Sequence, residues 1–254
     1  CEVVKLYCEP NGQFPHNPEP LKEHLGDICE LVKKEKADLG IVVDPDVDRL
    51  ALVDENGELF GEEYTLVAVA DYLLKNMKGA AISNLSSSRA LRDVARNLDS
   101  EYFASAVGEV NVVTLMKEKN AVIGGEGNGG IIYPDLHYGR YSLVGVALFL
   151  THLAKENQSV SELRATYPSY FMGKKKIELT PDIDVDALLT KMEKEYQNEE
   201  ISTVDGVKID FEKNWVHLRK SNTEPIIRIY TEAFSQEEAD QLGDQMIEKI
   251  KSLV

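Results

Sequence analysis

The sequence predicts an α/β protein with layered, mixed-sheet α/β domains followed by a smaller α+β C-terminal domain. From Gly61 to Asn157, short apolar runs typical of strands alternate with longer segments whose apolar residues recur at helical spacing. After residue 172 the order changes to one strand, one helix, several strands and a last helix, which is typical of an α+β unit. The 254 residues exceed one typical domain, and 43% of them are hydrophobic, enough for more than one core.

The first predicted unit, residues 1–60, has a strand-rich pattern interrupted by one helix. Its helix is indicated by Leu21, Leu25, Ile28, Leu31 and Val32, which share one helical face. The expected elements, in order, are a strand over 3–9, a Pro-rich turn over 16–20, a helix over 21–37, a strand over 38–44 and a hairpin over 50–60 whose turn is Asn56-Gly57.

The change in the order of predicted helices and strands near residue 172 divides the rest of the chain into two units. The second unit is residues 61–171 and the third is residues 172–254. The second is predicted to contain helices over 62–77, 88–98, 110–120 and 142–157, and strands over 79–86, 101–107 and 121–125. A connector over 167–176, with a hinge at Tyr167 to Lys174, is expected to join the two units. The third is predicted to contain strands over 175–180, 204–211, 215–220 and 226–233, and helices over 184–197 and 235–254.

Composition excludes several function classes. The net charge of −16 would repel a nucleic-acid backbone or an anionic membrane surface, so we expect neither as a partner. The longest apolar run, Leu143 to Leu150, is far shorter than the roughly 20 residues that span a bilayer. Three cysteines without metal-ligand spacing favour a reducing, cytoplasmic location over a disulfide scaffold.

The stretch "VVDPDVDRL" at 42–50 places Asp44, Asp46 and Asp48 directly after an apolar strand. Three converging carboxylates repel one another unless a cation joins them, and Mg²⁺ takes such oxygen ligands. An EF-hand calcium loop is disfavoured because Arg49 occupies its glycine position and strands flank it. A solvated acidic turn stays open as the alternative. Arg49 favours the metal site, because a guanidinium there could hold a phosphate that also contacts the metal.

Two further loops suggest ligand contacts. In "GGEGNGG" at 124–130, glycines allow close backbone approach, and Glu126 and Asn128 offer groups for sugar hydroxyls; a plain glycine turn is equally consistent with the motif alone. No helix opens after this loop, which disfavours dinucleotide binding. The second loop, "RKSNTEPIIR" at 219–228, is a candidate anion site, although an ordinary polar hairpin turn is the alternative; its candidate ligands are Arg219, Ser221, Asn222, Thr223 and Arg228.

Together these loops resemble the α-D-phosphohexomutases, the family of phosphoglucomutase, phosphomannomutase and phosphoglucosamine mutase. "DPDVDR" is similar to the family's "DGDGDR" loop, which implies Mg²⁺ as cofactor, Asp44, Asp46 and Asp48 as its ligands and Arg49 as a phosphoserine contact. Pro45 and Val47 replace both glycines of that motif. "GEGNGG" resembles the sugar loop "GEESGG", which implies that Glu126 and Asn128 bind sugar hydroxyls.

The resemblance extends to the third loop and to a weaker motif. "RKSNTEP" is similar to the family's "R-x-S-N-T-x-P", which implies that Arg219, Ser221, Asn222, Thr223 and Arg228 bind the substrate phosphate. "SSSRAL" resembles "STSRAL", which makes Arg89 a candidate cleft residue. The family's serine loop "T-A-S-H-N-P" does not occur in the 254 residues, so we expect a fragment without the N-terminal phosphoserine domain, inactive alone.

The resemblance also implies the reaction. In the whole enzyme, a phosphoserine would phosphorylate a phosphohexose substrate to a hexose 1,6-bisphosphate, which then returns the other phosphate; the missing N-terminal domain is therefore an expected partner. The form of the sugar loop favours phosphoglucosamine or phosphomannomutase over the glucose-specific branch. A non-catalytic phosphosugar-binding protein is the alternative, and a calcium-binding module spanning Asp44 to Glu55 is a third hypothesis.

Overall fold

The computed structural model describes residues 1–178, 183–221 and 226–253. These residues form a two-stranded ribbon, a four-stranded mixed sheet and a five-stranded antiparallel sheet, with helices packed on the two larger sheets. The predicted fold class, α/β with a smaller α+β unit at the C-terminal end, is confirmed. No helix within the described ranges combines the length and the apolar character needed to cross a membrane.

The ribbon near the start of the chain carries the aspartate loop. After a 3-10 turn, the elements are α1 (Gly26–Glu35), β1 (Gly40–Val43) and β2 (Leu50–Val53). β1 and β2 are antiparallel with Val43 opposite Leu50, so residues 44–49 form the loop that joins them. The strand predicted over 3–9 is wrong: residues 1–20, all described, contain no helix or strand. Val3 and Val4 are exposed, and without a neighbouring strand their backbone has no ladder to join.

The second unit contains every helix and strand predicted for it, with ends that differ by a few residues. Its sheet has the order β4-β3-β5-β6, in which β3 is parallel to β4 and β5, and β6 is antiparallel to β5. A short helix α6, capped by Ser159 and Glu162, was not predicted, although this capping box is a sequence signal. The elements are α2 (Glu62–Asn76), β3 (Ala81–Asn84), α3 (Ala90–Asn97), β4 (Tyr102–Ser105), α4 (Glu109–Lys119), β5 (Ile123–Glu126), β6 (Gly130–Ile132), α5 (Ser142–Glu156) and α6 (Val160–Ala165).

Two apolar clusters lie on opposite faces of this sheet. On one face, Val112 and Met116 of α4 pack with Ile82 and Ile132. On the other face, Ala81 and Ile131 belong to a larger cluster with α2, α3 and α5. Neighbouring strand residues thus alternate between two cores, as a period of two requires. The strand ends that carry the candidate site are therefore fixed from both sides.

The last unit is an antiparallel sheet of order β7-β11-β10-β9-β8 with α7 and α8 packed against it. Part of the predicted connector is wrong, because residues 171–176 belong to β7, which pairs with β11 from Phe171 opposite Ala233. Residues 167–170 alone stay irregular within the expected hinge. The elements are β7 (Phe171–Glu178), α7 (Val185–Glu195), β8 (Glu200–Ser202), β9 (Val207–Asp210), β10 (Trp215–Lys220), β11 (Ile226–Ala233) and α8 (Gln236–Leu253).

Polar contacts join the last unit to the second. Arg89, at the start of α3, is 5% exposed and pairs with Asp210 at 3.2 Å and Glu232 at 3.5 Å. Glu232 is fully buried and also accepts a hydrogen bond from the Trp215 indole at 2.7 Å. Because removing one partner leaves the other as a buried charge, this contact depends on both. The structure thus places Arg89, the candidate cleft residue, inside the joint between the units.

A second buried contact across this joint fixes a histidine tautomer. The Nε2 atom of His217 is 2.6 Å from the carbonyl oxygen of Asp205, so Nε2 carries the proton. The Nδ1 atom therefore accepts from the hydroxyl of Ser86 at 2.8 Å. Burial lowers the pKa of His217 to about 4, and the ring is neutral in the folded protein at neutral pH.

We expect Arg89→Met to lower the free energy of unfolding by about 3 kcal/mol, because Glu232 would stay buried without its cation. Urea unfolding at pH 7 measures the change. Arg96→Met is the matched control, since Arg96 is an exposed residue of the same helix and its replacement should change stability by less than about 0.5 kcal/mol. Equal losses in the two variants would contradict the buried pairing.

We also expect acid to weaken the joint through His217. The pKa in the folded state, about 4, lies below the ordinary value of 6.5, so the unfolded chain binds the proton first. Stability from this group is complete above pH 6.5 and falls by about 3 kcal/mol as pH drops to 4. His217→Gln removes this part of the pH dependence. Urea unfolding at pH 7 and pH 4.5 checks it; an identical loss on acidification in both proteins would refute the assignment.

Candidate functional site

The aspartate loop folds around the carboxylate of Asp44. That carboxylate is buried, and its Oδ1 atom accepts hydrogen bonds from the backbone N–H groups of Asp48 and Arg49, each at 3.0 Å. These donors favour the charged form and lower the pKa of Asp44 against the opposing effect of burial. The loop is therefore shaped by one ionised carboxylate at its base.

The three predicted metal ligands come together. One carboxylate oxygen each of Asp44, Asp46 and Asp48 lies within 4.8 Å of the other two. Ligands on opposite sides of Mg²⁺ are about 4.2 Å apart, so the spacing of the three oxygens is close to that of a metal-ligand set.

The electrostatics of Asp48 also fit a cation. Burial and the neighbouring Asp44 raise the pKa of Asp48 to about 6, as expected where carboxylates converge without a neutralising ion. The Oδ1 atom of Asp48 is buried and, among the described residues, has no hydrogen-bond partner. The Arg49 Nε atom lies 3.8 Å from this oxygen. A buried carboxylate oxygen without a hydrogen bond, in a cluster of three carboxylates, suits a hard divalent cation.

Val47, which stands where the similar family motif has a glycine, adopts an unfavourable backbone conformation. Its φ of 60° lies in the left-handed region, which a β-branched residue rarely adopts. The backbone N–H and the side-chain hydroxyl of Ser142 both donate to the carbonyl oxygen of Val47, at 3.0 and 2.6 Å. The start of α5 therefore holds the loop in a conformation that valine disfavours.

Arg49 lies beside the aspartates, as the sequence predicted. Its Nη1 atom binds Glu19 at 2.8 Å, and its Nε atom is 3.4 Å from Asp44. The bond to Glu19 is the main cause of the raised pKa of Arg49. The Arg49 side chain is 31% exposed, and its partner Glu19 is more exposed still.

The glycine-rich loop is the turn of the β5–β6 hairpin, with Glu126 at the end of β5. The Oε1 atom of Glu126 accepts from the Asn84 amide at 2.9 Å and from the backbone N–H of Gly108 at 3.2 Å. The side-chain oxygen of Asn128 accepts from the backbone N–H of Gly130 at 3.2 Å. Glu126 is thus held rigidly, and the half-buried Asn128 directs its amide nitrogen away from that bond.

The aspartate loop and the glycine-rich loop touch through their backbones. The backbone N–H of Leu50 donates to the carbonyl oxygen of Gly129 at 3.2 Å. Gly129 has a φ of 82°, and a Cβ built there would lie 2.2 Å from the carbonyl oxygen of Leu50. Only glycine satisfies both conditions, so this position fixes how closely the two loops approach.

Arg140 joins the same two loops through its side chain, although no sequence motif indicates it. Its guanidinium pairs with Asp48, with Glu126 at 3.5 Å and with Glu109 at 3.3 Å. The backbone N–H of Arg140 also donates to Glu109 at 3.0 Å. The available sequence signal was weak: a single arginine between a turn and a helix in an acidic chain.

The predicted phosphate loop is described in part. Arg219 and Arg228 are directly opposite each other on β10 and β11, and the backbone N–H of the buried Ser221 donates to the carbonyl oxygen of Ile226 at 3.0 Å. Asn222 and Thr223 lie outside the described residues.

A chain of contacts connects Arg219 to the glycine-rich loop. The Asp205 carboxylate is 3.7 Å from the Arg219 guanidinium and accepts from the backbone N–H of Val107 at 3.0 Å. The next residue, Gly108, donates to Glu126. Two consecutive backbone N–H groups therefore bind two different carboxylates: Val107 binds Asp205 and Gly108 binds Glu126. This brings the strand of Arg219 next to the loop of Glu126.

Three models of one family match the chain in consecutive segments. They describe the phosphoglucomutase/phosphomannomutase alpha/beta/alpha domain II at residues 1–57, the alpha/beta/alpha domain III at 61–170 and the C-terminal domain at 175–249. The chain is 37% identical to a phosphoglucomutase/phosphomannomutase of Thermococcus kodakarensis, with 98% of this chain and 56% of the relative covered. It is 34% identical to a protein of Methanopyrus kandleri named "probable phosphoglucosamine mutase", with 100% and 57% covered. The chain thus spans about half the length of these curated relatives.

Solved structures show the same fold. A phosphoglucomutase/phosphomannomutase family protein of Burkholderia thailandensis matches with a TM-score of 0.86 at 24% identity, covering 100% of this chain and 55% of that one. An Aspergillus fumigatus N-acetylphosphoglucosamine mutase, solved with GlcNAc-6P and magnesium, matches with a TM-score of 0.58 at 14% identity, covering 81% and 50%.

We expect Gly129→Ala to lower the free energy of unfolding by about 2 kcal/mol or more, because the new Cβ meets a backbone oxygen and the φ is unfavourable. Gly26→Ala is the control: a Cβ at this helical position has open space around it, so stability should stay equal or rise slightly. Urea unfolding of both variants measures the difference. A Gly129→Ala protein as stable as the wild type would contradict the close approach of the loops.

Proposed function

Because the chain belongs to the phosphoglucomutase/phosphomannomutase family, we propose that it forms part of a phosphohexose mutase. Such an enzyme moves phosphoryl groups between the 1- and 6-positions of a hexose through a hexose 1,6-bisphosphate and an enzyme phosphoserine. The observation that carries the proposal is the contact between the aspartate loop and the Glu126 loop. It supports a cation site beside groups suited to sugar hydroxyls.

The aspartates have the donor chemistry of a magnesium site. We assign Asp44, Asp46 and Asp48 as the ligands, supported by their convergence and by the orphaned oxygen of Asp48. Bound Mg²⁺ would offset negative charge on the phosphoryl group in transit. Arg49 would contact the phosphoserine by exchanging its exposed pairing with Glu19 for a phosphate oxygen.

The other two loops would hold the sugar and its distal phosphate. Glu126 accepts hydrogen bonds from sugar hydroxyls, and Asn128 both accepts and donates. Arg219, Ser221, Asn222, Thr223 and Arg228 form the proposed phosphate site at the β10–β11 turn. The contact of Asp205 with both Arg219 and the Val107 turn supports this placement beside the sugar loop. A substrate phosphate would take over the weak, 3.7 Å pairing of Arg219.

For the substrate we propose glucosamine phosphate or mannose phosphate. The form of the sugar loop and the names of the relatives, which include phosphoglucosamine mutases and a phosphoglucomutase/phosphomannomutase, support this choice. We further propose that residues 1–254 bind phosphosugar but do not turn it over alone, because the serine motif of the family is not among them. An N-terminal phosphoserine domain would supply the phosphoryl donor.

Calorimetry tests the binding site directly. The chain in Mg²⁺ is titrated with glucosamine 6-phosphate and with mannose 6-phosphate. Glu126→Gln should weaken the preferred ligand about tenfold, or 1.4 kcal/mol, by replacing a charged acceptor. Glu118→Gln, an exposed change on α4, should leave the affinity unchanged. Failure of the wild-type chain to bind either sugar phosphate would overturn the proposed site.

A turnover assay tests the enzyme class. The 254-residue chain should not convert hexose 1-phosphate to 6-phosphate, whereas the same chain preceded by a phosphoserine domain should. Turnover by the chain alone would refute the proposed need for an added donor, and lack of turnover in the longer protein would favour a non-catalytic binder.

A further inference from the structure

Arg140 belongs to none of the three loops that the sequence predicted as binding loops. It lies just before α5, and its aliphatic stem passes over Gly130 of the glycine-rich loop. A Cβ built on Gly130 would be 2.4 Å from the Arg140 Cδ atom. The glycine therefore makes room for this side chain, which is 18% exposed.

The guanidinium contacts carboxylates from three separate elements. Nη2 pairs with Asp48 of the β1–β2 loop, Nη1 with Glu126 at the end of β5, and Nε with Glu109 at the start of α4. A planar fork with fixed donors can hold several carboxylates in one geometry, which a lysine ammonium cannot do. The three elements are thereby fixed relative to one another.

The two oxygens of Asp48 have different surroundings. Oδ2 pairs with Arg140, whereas Oδ1 is buried, lies 3.8 Å from the Arg49 Nε atom and has no hydrogen-bond partner in the described part of the chain. A metal-ligating carboxylate is commonly oriented by an outer partner on its second oxygen. Glu126 is divided in the same way: Oε1 accepts from Asn84 and Gly108, and Oε2 faces Arg140.

We propose that Arg140 is a positioning residue that holds Asp48 in its metal-binding orientation and fixes Glu126 relative to it. The inference rests on the proposed function, because it presupposes the metal site at the aspartates. Arg140 acts through the two carboxylates it holds. The Glu109 carboxylate in turn holds Arg140, because it pairs with the guanidinium and accepts a hydrogen bond from the Arg140 backbone N–H.

A purely electrostatic role for Arg140 predicts the opposite result. If Arg140 only adds positive charge near the cation, its removal strengthens metal binding, since like charges repel. If it positions Asp48, its removal weakens metal binding although the site becomes more negative. The sign of the change in affinity therefore separates the two roles.

The test measures the affinity of the 254-residue chain for Mn²⁺, by calorimetry and by the electron paramagnetic resonance signal of free Mn²⁺. Arg140→Met and Arg140→Lys should each weaken binding by 10- to 100-fold, the range expected for loss of an outer partner. Arg96→Met, which removes an exposed arginine on α3, should leave the affinity unchanged. Arg140→Lys retains the positive charge. If Arg140→Met does not fold, the Mn²⁺ affinity of Arg140→Lys alone tests the positioning role.

Gly130→Ala gives an independent reading, because it displaces the Arg140 stem without changing any charge. It should weaken Mn²⁺ binding in the same direction. Wild-type affinity, or tighter binding, in the Arg140 variants would overturn the positioning role and leave the proposed function standing. Absence of Mn²⁺ binding in the wild-type chain would overturn the metal site and, with it, the role of Arg140.

Discussion

The contact between the aspartate loop and the glycine-rich loop fixes the geometry of the candidate site. The two loops belong to different sheets, yet Leu50 and Gly129 are joined through their backbones and Asp48 and Glu126 through Arg140. A glycine is required where the backbones meet, since a side chain there would collide with a carbonyl oxygen. The distance between the proposed cation and the proposed sugar is consequently set by the fold itself, which is how a pre-organised site favours phosphoryl transfer.

The last unit is attached by directional polar contacts. Arg89, Glu232 and Trp215 form one buried group, and Ser86 with His217 forms another. Such contacts define an orientation more narrowly than apolar packing does, because each donor must meet its acceptor. Asp205 then links this joint to the site, since its carboxylate reaches both Arg219 and the turn whose next residue holds Glu126.

Local sequence patterns predicted every α-helix of the described residues except α6, most strands and the convergence of the three aspartates, because periodicity and short motifs record local structure. They failed where the outcome depends on distant partners. Residues 3–9 have the composition of a strand, but they have no neighbouring strand to pair with. Residues 171–176 include three lysines and lack the pattern of a strand, yet they form one because β11 pairs with them. Arg140 was missed for the same reason: its three carboxylate partners are distant in the sequence, and no spacing rule joins them. Arg89 was placed at a cleft, and its burial against Glu232 could be seen only in three dimensions.

We expect the aspartate loop to bind a divalent cation directly beside Glu126. A crystal structure of the chain grown with Mn²⁺, with an anomalous difference map at the manganese edge, tests it most directly. We expect a single strong peak coordinated by Asp44, Asp46 and Asp48, with Asp48 using Oδ1 while Oδ2 stays on Arg140. A peak at another site, or no peak at these aspartates at saturating Mn²⁺, would contradict it.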